Sequence, residues 1–478
     1  MSSYQLKMEE SFEVKRTKAD CFRYITDFST IWEWDHTVIQ SEKTSDGPIE
    51  KGTIFDIVLK FGVRKTPMKY QITEYNFPDR AVLVGEADGF TAIDTVEIIS
   101  INKNTTKVVW KAEITFKGAM AKVMPYIEGQ IKKNGTKTIE GLKTALEDNY
   151  DAPTYKSSLK IADSLVLPGM FLFTKYGYQL AKKDWQPVSA SVAGKQIILT
   201  GATSGLGLAA AHELAHKGAH LTLVARNKAK ADLVKDELIR VSGNDNIEIE
   251  IADLSLMKHV DQLSDRLLAR GKSIDVLINN AGALFNDRKL TSEGIERSFA
   301  LLLLAPYKLT EQLMPLLQKS EDARVINVSS GGMYSQALRI NDLEFKKGKY
   351  DGSIAYARAK RGLMIITEQW AEKYKDSNIT FTAMHPGWAD TPGVEDALPG
   401  FYKITKNVLR TPKEGADTIV WLAIATEAAK LSGKFLLDRR PHTTHLLPNT
   451  KAKKEDRINL QPKLNEYLSA LKEVATVV

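Results

Sequence analysis

A tyrosine and a lysine four residues apart are the side chains of this sequence best placed for acid–base chemistry. Tyr356 and Lys360 enclose the segment Tyr-Ala-Arg-Ala-Lys, and residues four apart lie on one face of a helix. A nearby ammonium favours the phenolate, so the pair predicts a tyrosine pKa below its usual value of about 10 and hence proton transfer. The alternative is a packed tyrosine beside a solvated lysine.

A glycine-rich turn lies upstream of this pair. Gly201, Gly205 and Gly207 follow the apolar run 196–200 and precede a helical pattern over 206–217. Glycines at a strand-to-helix turn let backbone N–H groups and the helix N-terminus approach a pyrophosphate. The spacing is GxxxGxG rather than the general GxGxxG. An ordinary turn between strand and helix is the alternative.

Three further segments follow the glycine turn in a fixed order. They are Asn279-Asn-Ala-Gly282 after an apolar strand, Ser329-Ser330 at the end of the next, and His385-Pro-Gly387 beyond the tyrosine. With the glycine turn and the Tyr–Lys pair, they resemble the short-chain dehydrogenase/reductase family. The resemblance covers 194–448 and implies an α/β fold, a Rossmann doubly wound parallel sheet, with hydride transfer between a nicotinamide cofactor and a carbonyl or alcohol.

The resemblance also assigns roles to individual residues. Ser330 would hold the substrate oxygen, Tyr356 would protonate it, and Lys360 would bind the ribose and lower the tyrosine pKa. The spacing of 26 residues between Ser330 and Tyr356 is similar to that in retinol-dehydrogenase-type relatives. This resemblance implies an apolar lipid-, steroid- or retinoid-like substrate. Cofactor contacts are implied for Gly201, Thr203, Ser204, Gly205, Leu206, Gly207, Arg226, Asp253, Leu254, Asn280, Ala281, Gly282, Tyr356, Lys360, Pro386, Gly387 and Thr391.

The choice of cofactor depends on the residue that ends the second strand. An NAD-selective site places a carboxylate about 20 residues past the glycines, whereas this sequence has Arg226 there. A guanidinium can pair with a 2′-phosphate, so we expect NADP(H) in preference to NAD(H); a solvated arginine is the alternative. Asp253 matches the family's adenine-contacting aspartate and is also predicted to cap the helix that begins near Leu256.

One position departs from the family pattern. The segment after Phe299 places Leu302 where relatives carry a catalytic asparagine, and a leucine side chain cannot hydrogen-bond. Pro306 predicts a kink or the start of a helix. Two functions therefore remain open: a genuine reductase, or a non-catalytic lipid-binding protein that retains the nucleotide.

Residues 1–148 have a different pattern from the rest of the chain. A strand from Tyr4 to Val14 is followed by a helix over 18–28, several alternating strands and a long amphipathic helix over 118–146. This order resembles the polyketide-cyclase/START-like superfamily, an α+β helix-grip domain. The resemblance implies an apolar ligand between sheet and helix; a filled core is the alternative.

Two flanking segments complete the predicted organisation. The linker 149–193 carries apolar and aromatic residues beside lysines over 158–185, too few apolar residues to span a bilayer but suited to peripheral membrane contact. Packing against the reductase is the alternative. The tail 449–478 is predicted to form a solvated amphipathic helix.

Composition excludes several classes of protein. The 478 residues carry a net charge of +7 without a long basic block, which argues against nucleic-acid binding. A single cysteine and a charged start without an apolar region favour a reducing, cytoplasmic location, with membrane association and homo-oligomers left open. His442 and His445 have no cysteine or acidic companion nearby, so no metal site is expected.

Overall fold

The computed structural model describes residues 3–61, 64–148, 150–155, 170–446 and 450–477, which form two compact units. The front unit comprises residues 1–150 together with 186–191 and 240–243, and the remaining residues form the second unit. Each unit buries its own apolar core.

The front unit is built on a seven-stranded antiparallel sheet. They pair in the order β1-β7-β6-β5-β4-β3-β2, so all neighbours except β1 and β7 are consecutive in the chain. Alternate residues of each strand face the core, as the period of two predicts. The strands are β1 (Ser3–Val14), β2 (Val38–Lys43), β3 (Ile54–Phe61), β4 (Arg64–Asn76), β5 (Arg80–Ala87), β6 (Phe90–Asn102) and β7 (Thr105–Lys117).

Two helices accompany this sheet. Helix α1 (Lys18–Thr26) is shorter than the predicted 18–28, because Asp27 accepts a hydrogen bond from the backbone of Ser29 and starts a 3₁₀ turn. Helix α2 (Ala119–Glu147) confirms the predicted long helix. The sheet and helices confirm the helix-grip architecture.

The front core is dominated by aromatic rings around one carboxylate. Phe28, Trp34 and Trp110 contact one another through ring centroids 5.7 to 6.3 Å apart. The buried Asp94 accepts hydrogen bonds from Tyr70 and Trp110, each 2.9 Å long. Burial raises the pKa of Asp94 to about 6, because the two donors only partly replace the lost water.

Part of the predicted linker belongs to the front unit. The hydroxyl of Ser189 donates to the carbonyl of Ala145, and Arg16 donates to the carbonyl of Ser189 over 2.7 Å. The backbone N–H of Val188 donates to the Glu33 carboxylate. Residues 186–191 thus belong to the front unit, although residues 151–185 before them belong to the second.

The second unit contains an eight-stranded sheet of Rossmann type. Its order is β10-β9-β8-β11-β12-β13-β14-β15, and every pair is parallel except the last. The order reverses between β8 and β11, which creates the crevice where doubly wound sheets bind ligands. The strands are β8 (Gln196–Thr200), β9 (His220–Ala225), β10 (Ile247–Ile251), β11 (Val276–Asn279), β12 (Ala323–Val328), β13 (Ile379–Met384), β14 (Phe435–Leu437) and β15 (Arg440–His442). This architecture confirms the predicted fold.

Helices connect and flank these strands. They are α3 (Lys175–Lys182), α4 (Gly205–His216), α5 (Lys228–Ser242), α6 (Met257–Arg270), α7 (Arg297–Phe299), α8 (Ala305–Leu317), α9 (Gly352–Lys373), α10 (Pro392–Ala397), α11 (Pro399–Thr405), α12 (Pro412–Ile424) and α13 (Lys454–Val477). A π-helical turn, Ala300–Leu304, joins α7 to α8, and Pro306 lies in the first turn of α8.

The tail helix is more buried than the sequence predicts. We expected a solvated helix, but Leu460 and Leu464 of α13 are fully buried in the core of the second unit, and Leu468 and Leu471 pack against it. The sequence predicted the periodic leucine stripe correctly. It did not predict the surface that covers the stripe, because that surface comes from distant parts of the chain.

The segment predicted to contact membranes is only partly described. Residues 156–169 lie outside the described residues. Residues 170–185 include α3, and the side chains of Phe171, Tyr176 and Leu180 in this range are exposed. Along the described parts of the chain, every helix is too short or too polar to pass through a bilayer.

Candidate active site

The glycine turn and the Asn-Asn-Ala-Gly segment meet where the strand order reverses. The hydroxyl of Thr200, the last residue of β8, accepts hydrogen bonds from the backbone N–H groups of Asn280 (2.9 Å) and Ala281 (3.0 Å). The side-chain amide of Asn280 donates to the carbonyls of Thr200 and Gly201. These bonds fix the two segments to each other at the carboxyl ends of β8 and β11.

The glycines leave the turn with no side chains on its inner surface. A Cβ atom at position 207 would lie 2.2 Å from the Gly201 carbonyl oxygen, and Gly201 itself has a φ of +68°. A Cβ at position 205 would lie 3.1 Å from the methyl group of Thr391. The bare backbone precedes the N-terminus of α4, so the turn fits a pyrophosphate. Thr203, Ser204 and Leu206 are exposed or half-buried in this turn.

The residues predicted to hold the adenosine half of the cofactor follow β9 and β10, and one of them does not play its predicted structural role. Arg226 is exposed immediately after β9, and Leu254 is buried after β10. Asp253 does not cap α6: its carboxylate accepts from the backbone and hydroxyl of Ser255. The carboxylate of Glu293 caps that helix instead, accepting from the first two backbone N–H groups of α6. The sequence could not show this cap because it lies on a distant loop.

Helix α9 carries the tyrosine and lysine into the site. Asp351 caps its N-terminus by accepting the N–H groups of Ser353 and Ile354. The ammonium of Lys360 lies 5.7 Å from the centre of the Tyr356 ring. The predicted helical geometry of the pair is therefore present.

The electrostatics differ from the sequence expectation. Burial raises the pKa of Tyr356, and the hydrogen bond with Ser330 lowers it only in part. Burial also lowers the pKa of Lys360 to about 8, while its ammonium donates a 2.6 Å hydrogen bond to the Val328 carbonyl. Desolvation dominates at the phenol, so the lowering of the tyrosine pKa expected from Lys360 does not appear in the chain without its cofactor.

The remaining predicted residues lie either near the Tyr–Lys pair or near the glycine turn. Ser330 follows β12 and accepts a 3.0 Å hydrogen bond from the N–H of Gly332. A Cβ at Gly282 would lie 3.7 Å from the Lys360 ammonium, so the segment after β11 reaches the catalytic helix. Pro386, Gly387 and Thr391 follow β13, and Thr391 contacts the glycine turn as described above.

Leu302 lies in the position where the amide was expected. It is fully buried within the π-helical turn, and one of its methyl groups is 3.1 Å from the Cβ position of Gly282. A cavity of about 10 Å³ lies beside it, lined by Lys360, Asn279 and Thr200 among others. That volume accommodates about one water molecule, and its lining offers polar atoms to hold one.

Sequence reasoning missed a buried ion pair beside the site. The guanidinium of Arg410 binds both carboxylate oxygens of Asp438 and donates to the carbonyls of Leu172 and Thr174. A Cβ at Gly387 would lie 2.2 Å from this guanidinium, which explains the glycine. The glycine was the only available signal, since its partner is distant in sequence.

Candidate metal ligands were sought in the described part of the chain. No group of three or more histidine, cysteine, aspartate or glutamate side chains is arranged there to hold an ion. His442 is buried, and its ring lies 6.0 Å from that of Tyr155.

Comparison with known proteins separates the same two parts of the chain. A family model described as "short chain dehydrogenase" matches residues 195–399. A second, described as "Polyketide cyclase / dehydrase and lipid transport", matches residues 5–147.

Curated relatives match the second part of the chain. Dehydrogenase/reductase SDR family member 12 of Homo sapiens is 44% identical over 281 residues, covering 58% of this chain and 88% of that protein. The Bos taurus protein of the same name gives the same identity and coverage. Retinol dehydrogenase 13 of Homo sapiens is 29% identical over 283 residues, covering 56% of this chain and 86% of its own length.

Proposed function

We propose a function from one premise: this chain belongs to the short-chain dehydrogenase/reductase family. As a member it is an oxidoreductase that uses a nicotinamide cofactor and acts on CH–OH groups. The proposal is more specific: an NADP(H)-dependent reductase of apolar carbonyl compounds. The observation that carries it is the position of Tyr356 and Lys360, which face the end of the sheet where the bare glycine turn lies.

The residues of this site would divide the work of reduction. The turn at Gly201, Gly205 and Gly207 would hold the pyrophosphate, with Lys360 at the nicotinamide ribose. The bound cofactor would supply the hydride that reaches the carbonyl carbon. Ser330 would donate a hydrogen bond to the carbonyl oxygen, and Tyr356 would transfer its phenolic proton to that oxygen.

The raised pKa of Tyr356 suits this direction of reaction. A phenol whose pKa is raised by burial stays protonated at neutral pH and is therefore ready to act as a proton donor. Lys360, with a pKa of about 8, can carry a proton at neutral pH and return it to the tyrosine after each turnover. The cavity beside Leu302 provides room for about one water between Lys360 and the polar ends of β8 and β11.

Cofactor choice and substrate class rest on separate features. Arg226 is an exposed cation after β9, where a 2′-phosphate would approach. Apolar substrates are supported by the retinol dehydrogenase relative, whose name gives a long-chain apolar alcohol. No buried charge is required to recognise such a substrate.

The front domain would bind an apolar ligand. The family model that matches it includes lipid transport in its description. Within the described ranges, the buried indole nitrogen of Trp34 has no hydrogen-bond partner, and its ring packs against that of Trp110. A ligand with an apolar body and one oxygen atom would satisfy that donor.

Peripheral membrane contact is part of the proposal. Tyr176 and Leu180 expose about half of their surfaces, and Ile404 of α11 exposes 84%. Lys183 and Lys403 provide nearby positive charges. Aromatic and aliphatic side chains among lysines suit an anionic membrane surface. A cytoplasmic location and a homo-oligomer stay predictions.

Leu302 favours a second candidate function. Without the amide, the chain could keep the nucleotide and lose turnover, leaving a lipid-binding protein. The retained Ser330, Tyr356 and Lys360 support the reductase in preference, because a decaying site has no reason to keep all three.

Replacing Tyr356→Phe removes only the proton donor. We expect reduction of any accepted carbonyl to fall by roughly 10²- to 10⁴-fold, while the dissociation constant for NADP⁺ changes less than about twofold since the phenyl ring is retained. Single-turnover kinetics and calorimetry measure the two effects. Tyr374→Phe, at the far end of the same helix, is the control. Near-normal turnover of Tyr356→Phe would rule out the assigned mechanism.

Arg226 is expected to make NADPH bind at least about tenfold more tightly than NADH, because a charge-assisted hydrogen bond contributes about 1.5 to 3 kcal/mol. Arg226→Gln should remove most of the preference by weakening NADPH alone. Lys375→Gln, an exposed cation beyond α9, should change neither cofactor. Equal dissociation constants for the two cofactors in the unaltered protein would contradict the proposal.

Apolar ligands should remain bound to the front domain after the full chain is incubated with a lipid extract. Native mass spectrometry would show a discrete added mass, and Trp34→Phe should weaken its retention because the indole donor is lost. A chain that stays free of ligand at every extract concentration would favour a filled core.

Restoring the amide with Leu302→Asn should raise kcat, because the amide could hold the water beside Lys360. An amide left unpaired would instead cost about 1 to 3 kcal/mol of stability. Leu303→Asn, a neighbouring buried position packed on Gly362, is the control and should only destabilise. Melting temperature and steady-state rates separate the cases: a destabilised, still inactive Leu302→Asn supports the binding protein.

A further inference from the structure

A second cavity lies behind the catalytic helix, away from the glycine turn. Its volume is about 220 Å³, enough for several water molecules or one small anion. Helix α9 contributes Arg361 and Glu368 to its wall, the loop after β15 contributes His445, the segment before α13 contributes Lys451, and the first turn of α13 contributes Arg457.

Among the described residues, no carboxylate forms an ion pair with the buried Arg361, although the charge of Glu368 acts on it from a distance. Arg361 is 3% exposed, and its guanidinium donates to three backbone carbonyls, those of Gln336, Met333 and Thr444. These acceptors are neutral, and burial lowers the pKa of Arg361 to about 10. An arginine has five N–H donors, so two remain for another acceptor. A buried cation of this kind is costly unless an anion approaches it.

The other charged side chains of the cavity increase its excess of positive charge. Arg457 donates to Glu368 over 2.6 Å, which neutralises one pair. Lys451 forms no ion pair with a carboxylate in the described ranges. Burial, Lys451 and Arg361 lower the pKa of His445 against the opposing charge of Glu368, which favours the neutral imidazole. Three cations and one carboxylate leave two positive charges uncompensated.

We propose that this cavity binds the dianionic phosphate group of a free phosphate ester or of a lipid headgroup. Two negative charges would balance the cavity, and planar guanidinium groups match phosphate geometry. The cofactor's own phosphates would lie at the glycine turn and at Arg226, so this site is a separate one. Phosphate binding in this cavity does not depend on catalysis, although the bound phosphate would contact α9, the helix that carries Tyr356 and Lys360.

Calorimetry with inorganic phosphate tests this site on the full chain. Saturating NADP⁺ keeps the cofactor's phosphate sites filled, so the heat reports the second cavity. Lys451→Gln should weaken phosphate binding roughly three- to tenfold, and Glu368→Gln should tighten it by a similar factor, since each changes the cavity by one charge. Lys453→Gln, an exposed cation outside the cavity wall, should leave the affinity unchanged.

Weaker phosphate binding by Lys451→Gln and tighter binding by Glu368→Gln, with melting temperatures near that of the unaltered chain, would support the site. Absence of phosphate binding, or equal affinities in all four proteins, would overturn it. Glycerol 3-phosphate and vesicles containing phosphatidic acid then identify the source. Binding of the soluble ester indicates a free metabolite, whereas charge-dependent binding of vesicles alone indicates a lipid headgroup.

Discussion

The close contact between the glycine turn and Asn280 is the constraint on which the second unit depends. The carbonyl of Gly201 lies where a Cβ of residue 207 would be, and the Asn280 amide donates to two carbonyls of the same turn. This contact fixes where α4 begins, and with it the place that a pyrophosphate can occupy. It also fixes the segment after β11, whose Gly282 reaches Lys360. A side chain at position 207 would collide with the Gly201 carbonyl and the Asn280 amide, so this contact requires a glycine.

Burial sets the chemistry of that helix more strongly than the proximity of its two side chains. Desolvation raises the pKa of Tyr356 and lowers that of Lys360, so the unionised phenol and a lysine that can give up its proton are both favoured. These are the forms required to deliver a proton to a substrate oxygen. Leu302 lines the same small cavity as Lys360. An apolar wall and a cavity for about one water are therefore present where the family pattern has an asparagine.

The local features of the protein could be predicted from the sequence, and the distant ones could not. The strand-to-helix turn, the Tyr–Lys helix and the long helix α2 depend on residues close in sequence, so periodicity and glycine spacing located them. The cap of α6 by Glu293 and the Arg410–Asp438 pair join segments far apart in the chain. Pattern alone cannot identify such partners. The burial of α13 and the pKa of Tyr356 depend on the complete packing, which the pattern of residues along the chain does not contain.

Deuterium transfer from NADPH labelled at C4 of the nicotinamide is the most direct measurement of the proposed activity. The full chain would be incubated with each labelled C4 epimer and a panel of apolar ketones and aldehydes, and the alcohols analysed by mass spectrometry. One epimer should place one deuterium on the carbinol carbon of at least one substrate, and heat-denatured protein should place none. Tight binding of NADPH without deuterium in any alcohol would contradict the reductase and leave the nucleotide-holding lipid-binding protein.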